Sequence, residues 1–160
     1  MKKILITGGA GYIGSHICEV IVKKNNKVFI VDNLSTGFKK LINKKTVFYK
    51  INILNTKKLR NIIIKNNIDS IIHLAGSLII SVGEKNPKSY FKNNVIGTRC
   101  VLNACRNTTV KNFIFSSTAA VYKDKQKIVN ENSKIEPKSV YGKTKIKAEK
   151  IIISHCKKFK

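Results

Sequence analysis

The stretch Thr7–Ser15 reads T-G-G-A-G-Y-I-G-S and lies between an apolar run, Ile4, Leu5 and Ile6, and a segment whose apolar residues recur at helical spacing. A strand that ends in closely spaced glycines and turns straight into a helix leaves backbone N–H groups pointing outward, with no side chain to hold a diphosphate away. The stretch is therefore read as an anion cradle. Gly8 allows the tight turn, Gly11 the close approach of a pyrophosphate, and Gly14 the close packing of helix on strand. The spacing is Gly-x-x-Gly-x-x-Gly, a variant of the Gly-x-Gly-x-x-Gly dinucleotide fingerprint.

Outward from the cradle the chain alternates between two hydrophobic periods. Lys3–Thr7 is expected as a short, almost wholly apolar strand, as where helices cover both faces of a sheet. The next helix is expected to turn Ile13, Ile17, Val20 and Ile21 inward and to fray at Lys24, Asn25 and Asn26. Lys27–Val31 is the second strand and ends at Asp32, 18 residues after Gly14. That is close to the roughly 20-residue offset at which an acidic residue meets an adenosine ribose. A carboxylate there accepts hydrogen bonds from the ribose hydroxyls and repels a 2′-phosphate, which selects NAD over NADP. Thr46–Lys50 reads as a third strand, and Asn55-Thr56 as the cap of a helix with Leu59, Ile62 and Ile63 inward. Asp69–His73 is the fourth strand. Leu74-Ala75-Gly76 follows it, small enough for backbone to approach a cofactor. Pro87 suits the first turn of a long helix whose inner face would hold Phe91, Val95, Thr98, Leu102 and Cys105, and Asn112–Ser116 is the fifth strand. The expected fold is α/β, a Rossmann-type doubly wound parallel sheet of order 3-2-1-4-5 with helices on both faces.

The exit of the fifth strand supplies Ser116, Ser117 and Thr118, hydroxyls that either contact substrate or tie up loop backbone. From Ser139 the chain reads S-V-Y-G-K-T-K and continues as a helix through Val140, Thr144, Ala148, Ile151 and Ile152. Tyr141 and Lys145 are four apart, one turn along the same face. A tyrosine is a poor base at its ordinary pKa of about 10. An ammonium one turn away, with an oxidised nicotinamide nearby, stabilises the phenolate, and the same lysine can hydrogen-bond the nicotinamide ribose.

The formal net charge of +24 comes from 32 Lys+Arg against 8 Asp+Glu, but only Arg60, Arg99 and Arg106 are arginines and the lysines are spread along the whole chain. With no long basic block and no aromatic interleaving, the pattern reads as a solvated lysine surface, and no nucleic-acid partner is expected. Cys18, Cys100, Cys105 and Cys156 have no metal-ligand spacing and read as small buried apolar residues of a reducing compartment, with no metal. The apolar run after Met1-Lys2-Lys3 breaks at Gly8, and no segment is long enough to span a membrane, so a cytoplasmic protein with no membrane partner is expected.

These motifs together resemble the N-terminal part of the extended short-chain dehydrogenase/reductase family, and within it the nucleotide-sugar epimerases. The matching text is T-G-G-A-G-Y-I-G-S-H from Thr7, V-D-N-L-S-T-G from Val31, N-N-V-I-G-T from Asn93, K-N-F-I-F-S-S from Lys111, then A-V-Y and S-V-Y-G-K-T-K. The resemblance implies that Tyr12 and Ile13 contact the pyrophosphate of NAD, and that Asp32, Asn33, Leu34, Ser35, Thr36 and Gly37 serve the adenosine half. It implies that Leu74, Ala75, Gly76, Ser77 and Leu78 line the cofactor with Asn93 nearby, and that Thr118, Tyr141 and Lys145 are catalytic as well as close to NAD. The activity implied is interconversion of UDP-glucose and UDP-galactose by transient oxidation at the sugar C4, with a UDP-sugar as substrate. Nucleotide-sugar 4,6-dehydratases also resemble the chain but carry Asp-Glu after the threonine. Ala119 and Ala120 stand there and cannot move a proton.

Two departures accompany the resemblance. Where the family commonly has Asp-Ile or Asp-Val against the adenine, this sequence has Asn52-Ile53, whose amide oxygen can still accept from the adenine amino group. Family members also continue for about as many residues again. Residues 1–160 are thus expected to be an NAD-binding domain truncated before the last sheet strands, without the C-terminal substrate-binding domain. Alternatives stand beside the epimerase reading: a catalytically inactive, truncated NAD-binding domain, another nucleotide-sugar epimerase of the family, or a basic nucleic-acid binder. A homodimer is a further option on which the sequence is silent.

Overall fold

The structure is a computed structural model that describes residues 1–123 and 128–158. They fall into two compact units, one of Met1–Ala75 with Cys100–Ser116, the other of Gly76–Arg99 with the residues from Ser117 on. The strands are β1 (Lys3–Thr7), β2 (Lys27–Asp32), β3 (Val47–Lys50), β4 (Ser70–His73) and β5 (Asn112–Phe115). The helices are α1 (Tyr12–Lys23), α2 (Thr56–Asn66), α3 (Ile80–Lys85), α4 (Pro87–Tyr90), α5 (Gly97–Cys105) and α6 (Val140–Lys158), with a π-helical turn at Phe91–Ile96.

The first unit is built on a parallel sheet of order β3-β2-β1-β4-β5, as expected from the motif order. Leu5 pairs with Phe29 on one side and Ile71 on the other, and Ile6 with Ile30 and Ile72. Strand alternation then sorts the core into two layers. Leu5, Phe29, Val31 and Ile71 pack under Leu59, Ile62 and Ile63 of α2 and Val101 and Ala104 of α5. Ile6, Val28, Ile30 and Ile72 pack under Cys18 of α1. Each fully buried Leu, Ile or Phe contributes roughly 1.5–3 kcal/mol.

Two expected helix faces are corrected. On α1 the buried residues are Gly14, Ser15 and Cys18, while Ile13 and Val20 are each 56% exposed and Ile17 and Ile21 only half-buried. The buried stripe is rotated by about 100°, one residue's turn, from the one the isoleucines suggest. Small residues win because the helix starts hard against the glycine turn. A Cβ at Gly14 would collide with the Gly8 carbonyl oxygen and sit 2.7 Å from the Gly9 Cα. The long helix expected from Pro87 is α4, the π-turn and α5 in succession, with the Asn86 side chain accepting from the Ser89 N–H at 3.2 Å. The wider π-turn shifts the register. Tyr90 and Asn94 join Val95, Thr98 and Leu102 as buried residues, whereas Phe91 is exposed and Cys105 half-buried. Of the cysteines, Cys18 is buried, Cys100 and Cys105 are half-buried and Cys156 is exposed, so the reading of all four as buried holds only for the first.

Three helices end on an asparagine in the left-handed region: Asn25 (φ 57°), Asn67 (φ 50°) and Asn107 (φ 52°). After α2 the Asn67 and Ile68 N–H groups donate to the Ile64 and Ile63 carbonyls, each at 3.1 Å, which closes the helix. In the second unit α6 packs against α3, α4, the π-turn and a 3₁₀ turn at Ala119–Val121. The Tyr90 hydroxyl donates to the Ile79 carbonyl at 2.6 Å, and its ring lies 3.0 Å from where a Cβ on buried Gly83 would stand.

The α1 contact is testable. Gly14→Ala sets a methyl against rigid backbone and is expected to cost about 2 kcal/mol or more in thermal or urea denaturation, whereas Ile13→Ala changes stability by less than about 0.5 kcal/mol.

Candidate active site

In the first unit the chain leaves β1 at Thr7 and turns at Gly8, whose φ is +74°. The Gly8 N–H donates to the Val31 carbonyl at 2.8 Å, and the Gly8 carbonyl accepts from the Gly11 N–H at 3.2 Å. Gly11 is the N-cap of α1 and has no side chain to cap it. The first turn carries no acidic residue, and Tyr12 and Ile13 are exposed there. A helix start of this kind presents its N–H groups and the positive end of its dipole to an anion. A Cβ on Gly11 would meet the Gly8 carbonyl oxygen at 3.3 Å, a tight contact with backbone, so local packing itself favours glycine here. The missing side chain also leaves room for a diphosphate.

Asp32 is buried at the end of β2. Its Oδ2 accepts from the Ala10 N–H at 3.1 Å and its Oδ1 from the Leu34 N–H at 2.8 Å, with Leu34 itself at φ 61°. The carboxylate therefore holds the cradle's back wall as well as keeping lone pairs for a ribose diol. Beyond it the Asn33 side chain accepts from the Ser35 N–H, Ser35 and Thr36 are exposed, and Phe38 N–H donates to the Ala10 carbonyl at 3.0 Å. A Cβ on Gly37 would stand 3.0 Å from that of Ala10. These residues fit the adenosine half of a dinucleotide. Asn52 is exposed and its side-chain oxygen accepts from the Leu54 N–H at 2.9 Å, while Ile53 lies in the core layer under α2. Leu74 and Ala75 continue from β4 through hydrogen bonds to Thr7, its carbonyl oxygen at 3.0 Å and its hydroxyl at 3.4 Å. The Thr7 hydroxyl also pairs with Nδ1 of buried His73, at 2.6 Å, and the His73 ring stacks on Phe115. That pair lay outside the sequence reading because Thr7 and His73 both looked like strand filler.

In the second unit the catalytic candidates share α6. Tyr141 is half-buried, and the Lys145 Nζ lies 5.9 Å from its ring centroid. Lys145 is only 6% exposed. A Cβ on Gly76 would come within 4.0 Å of the Lys145 Nζ and 3.3 Å of Asn94 Oδ1, so Gly76, Asn94 and Lys145 converge. Asn94, buried on the π-turn, accepts from the Ser77 N–H at 2.7 Å and donates to the Ser77 carbonyl at 2.9 Å and the Thr144 hydroxyl at 3.0 Å. Thr144 in turn donates to the Tyr141 carbonyl at 2.7 Å. The neighbouring Asn93 donates to the Ser77 hydroxyl at 2.9 Å, and Leu78 is exposed. Asn94 was missed from sequence because the π-turn decides which of two adjacent asparagines faces inward. Thr118 caps the 3₁₀ turn, its Oγ1 accepting from the Ala120 N–H at 3.2 Å. Ser117 donates to Glu149 Oε1. Ser116, in the first unit, extends the sheet ladder through its N–H to the His73 carbonyl at 3.3 Å.

Burial pushes the Lys145 amine down to about 8, with Glu149 opposing the shift. A half-buried phenol with a buried cation one turn away is an arrangement capable of proton transfer, and Asn94 ties it to the neighbouring chain through Ser77 and Thr144. Among protein families, residues 4–160 match the NAD dependent epimerase/dehydratase family. The chain belongs to it. The UDP-glucose 4-epimerase of Lactobacillus helveticus is 38% identical over 151 residues, 94% of this chain and 46% of that protein. A dTDP-D-glucose 4,6-dehydratase of Dictyostelium discoideum is 36% identical over 183 residues, all of this chain and 42% of that protein. Among solved structures, the Thermotoga maritima UDP-glucose 4-epimerase with UDP-glucose superposes with a TM-score of 0.94 at 31% identity, over 98% of this chain and 52% of that one. The Brucella ovis enzyme in complex with NAD gives 0.95 at 32%, over 99% and 49%. The chain spans about half the length of each of these relatives. As a member of this family it has a cradle whose glycines, bare helix start and buried Asp32 all fit NAD.

The buried amine predicts a pH-dependent stability difference. The folded-state value of about 8 lies below the ordinary 10.5, so the charged form costs stability, fully below pH 8 and progressively less up to pH 10.5. Lys145→Met is thus expected to be more stable than the parent at pH 7, by on the order of 3 kcal/mol. The gap should close between pH 8 and pH 10.5, as paired urea titrations at pH 7 and pH 10 would read.

Proposed function

We propose that the chain is the NAD-binding, catalytic-residue-bearing part of a UDP-glucose 4-epimerase that interconverts UDP-glucose and UDP-galactose by transient oxidation at sugar C4, a step of galactose metabolism. The observation that carries the reading is the Tyr141–Lys145 pair on α6, with Lys145 buried beside Gly76 and Asn94. Bound NAD supplies a reversible hydride acceptor. Tyr141 takes the 4-hydroxyl proton and later returns it, helped by the Lys145 cation. Thr118 accepts the Ala120 N–H on its oxygen, which orients its own O–H to share the hydrogen bond at the sugar oxygen. Ala119 and Ala120 follow Thr118 and hold no proton to move, which favours epimerisation over the elimination that a 4,6-dehydratase performs.

Asp32 supports NAD over NADP, since a carboxylate anchored by two backbone N–H groups cannot turn away from a 2′-phosphate. The four cysteines are free, which suits the reducing cytoplasm, and no helix among the described residues is long and apolar enough to cross a membrane. In this reading residues 1–160 belong to one NAD-binding domain, with a homodimer as the assembly to examine by light scattering.

The test is UDP-galactose to UDP-glucose conversion by the purified chain, with bound NAD measured on the same sample. Conversion is expected, with Tyr141→Phe lowering kcat by about 10²-fold or more while NAD content is kept. Bound NAD without conversion would make the chain a cofactor-binding domain only, and the absence of both would overturn the proposal. Asp32→Ser is expected to weaken NAD binding and narrow the preference over NADP, read by calorimetry with both nucleotides.

A further inference from the structure

Glu149 lies one helical turn beyond Lys145 on α6, as Tyr141 lies one turn before it. Its carboxylate is half-buried, and the Ser117 hydroxyl donates to it from the chain leaving β5. Thr118, the next residue, has extended backbone (φ −156°, ψ 148°). Consecutive residues in extended chain send their side chains to opposite sides, so Thr118 can serve the 3₁₀ turn while Ser117 is turned back onto α6. One short segment thereby touches two things, the catalytic hydroxyl position and the carboxylate below the lysine.

Resting on the epimerase reading, we propose that Glu149 is a positioning residue for Lys145: aimed by Ser117, its carboxylate holds the counter-charge one turn from the buried ammonium. Lys145 is almost wholly withdrawn from water, and a buried cation without an opposite charge gives up its proton. The elements packed against α6 carry Glu84 and Lys85 on α3, Lys88 and Tyr90 on α4, and Lys92 on the π-turn. Glu84 is taken up at the start of α6, where it accepts from the Val140 N–H at 2.7 Å. Tyr90 is neutral and donates to the Ile79 carbonyl. Lys143, Lys147 and Lys150 on α6 itself are exposed and of the same sign as Lys145. Glu149 is the group whose charge opposes the effect of burial on Lys145.

The experiment is an NMR titration of the lysine side chains of the 160-residue chain, with the Lys145 signal assigned by its loss in Lys145→Met. Glu149→Gln is expected to lower the Lys145 midpoint by about one unit. Ser117→Ala, which keeps the carboxylate but releases it, should lower the midpoint by less, and adding it to Glu149→Gln should change nothing further. An unmoved midpoint in Glu149→Gln would overturn the proposal. So would a Ser117→Ala shift that persists without the carboxylate. Glu149→Asp, a shorter acid, serves if the glutamine variant fails to fold; a midpoint equal to the parent's would overturn the role assigned to the Ser117 contact. Each readout is independent of turnover, so loss of the epimerase reading and loss of this one are told apart.

Discussion

The backbone turn at Gly8 is the constraint on which the first unit depends. Its N–H is spent on β2 at Val31, its carbonyl on Gly11, and the position of its missing side chain is taken by the backbone of Leu74 and Ala75, 2.6 Å away at the Ala75 nitrogen. A side chain at Gly8 would clash with that backbone as well as strain the positive φ. Three strand exits and the start of α1 are thereby brought to one point. The same turn sets how deeply α1 sits, since Gly14 has to pass the Gly8 carbonyl. Phosphate binding and core packing are consequences of one geometry, because the close approach that packs the helix also bares its first N–H groups.

What the sequence made legible followed from local rules with a single outcome. The glycine cradle, Asp32 at the end of β2 and Tyr141 with Lys145 on one helix depend on spacing along a short stretch of chain, and the β order on the sequence of those motifs. What it hid depended on register between elements. Ile13 and Val20 suggested the inner face of α1, yet tight apposition selected Gly14 and Cys18, and a pattern of hydrophobic residues cannot report how close a helix comes. The π-turn similarly exchanges Phe91 for Tyr90 and promotes Asn94 over Asn93, because one extra residue per turn rotates everything that follows. His73 was hidden for a different reason. A histidine within a four-residue strand gives no sign of the threonine hydroxyl it will meet on the neighbouring strand.

Asparagine carries part of the work that glycine does elsewhere. With 9 glycines in 160 residues, three helices close on asparagines in the left-handed region, the side chain that tolerates that conformation best after glycine. Glycine is kept where a side chain has no room, at positions 8, 14, 83 and 142, the last with its Cβ position against the Ala120 carbonyl. A lysine- and asparagine-rich composition is thus compatible with the fold wherever only a dihedral is required. It fails where a side chain has no room, and those positions are around the cradle, on α3 against Tyr90 and at the start of α6.

Lys145 shows the opposite compromise, one made against stability. An exposed lysine on α6, such as Lys143 or Lys147, would cost the fold nothing. Burying it beside Gly76 and Asn94 fixes the amine in space but makes its charge expensive, and the cost falls on the folded state through the neutral range. Such an arrangement persists only if the fixed position is worth more than the stability forgone. The surrounding polar groups are placed to limit the loss: Asn94 satisfies Ser77 and Thr144, Thr144 satisfies the Tyr141 carbonyl, and Glu149 supplies charge from below. A helix that needed only to pack would have put leucine at position 145.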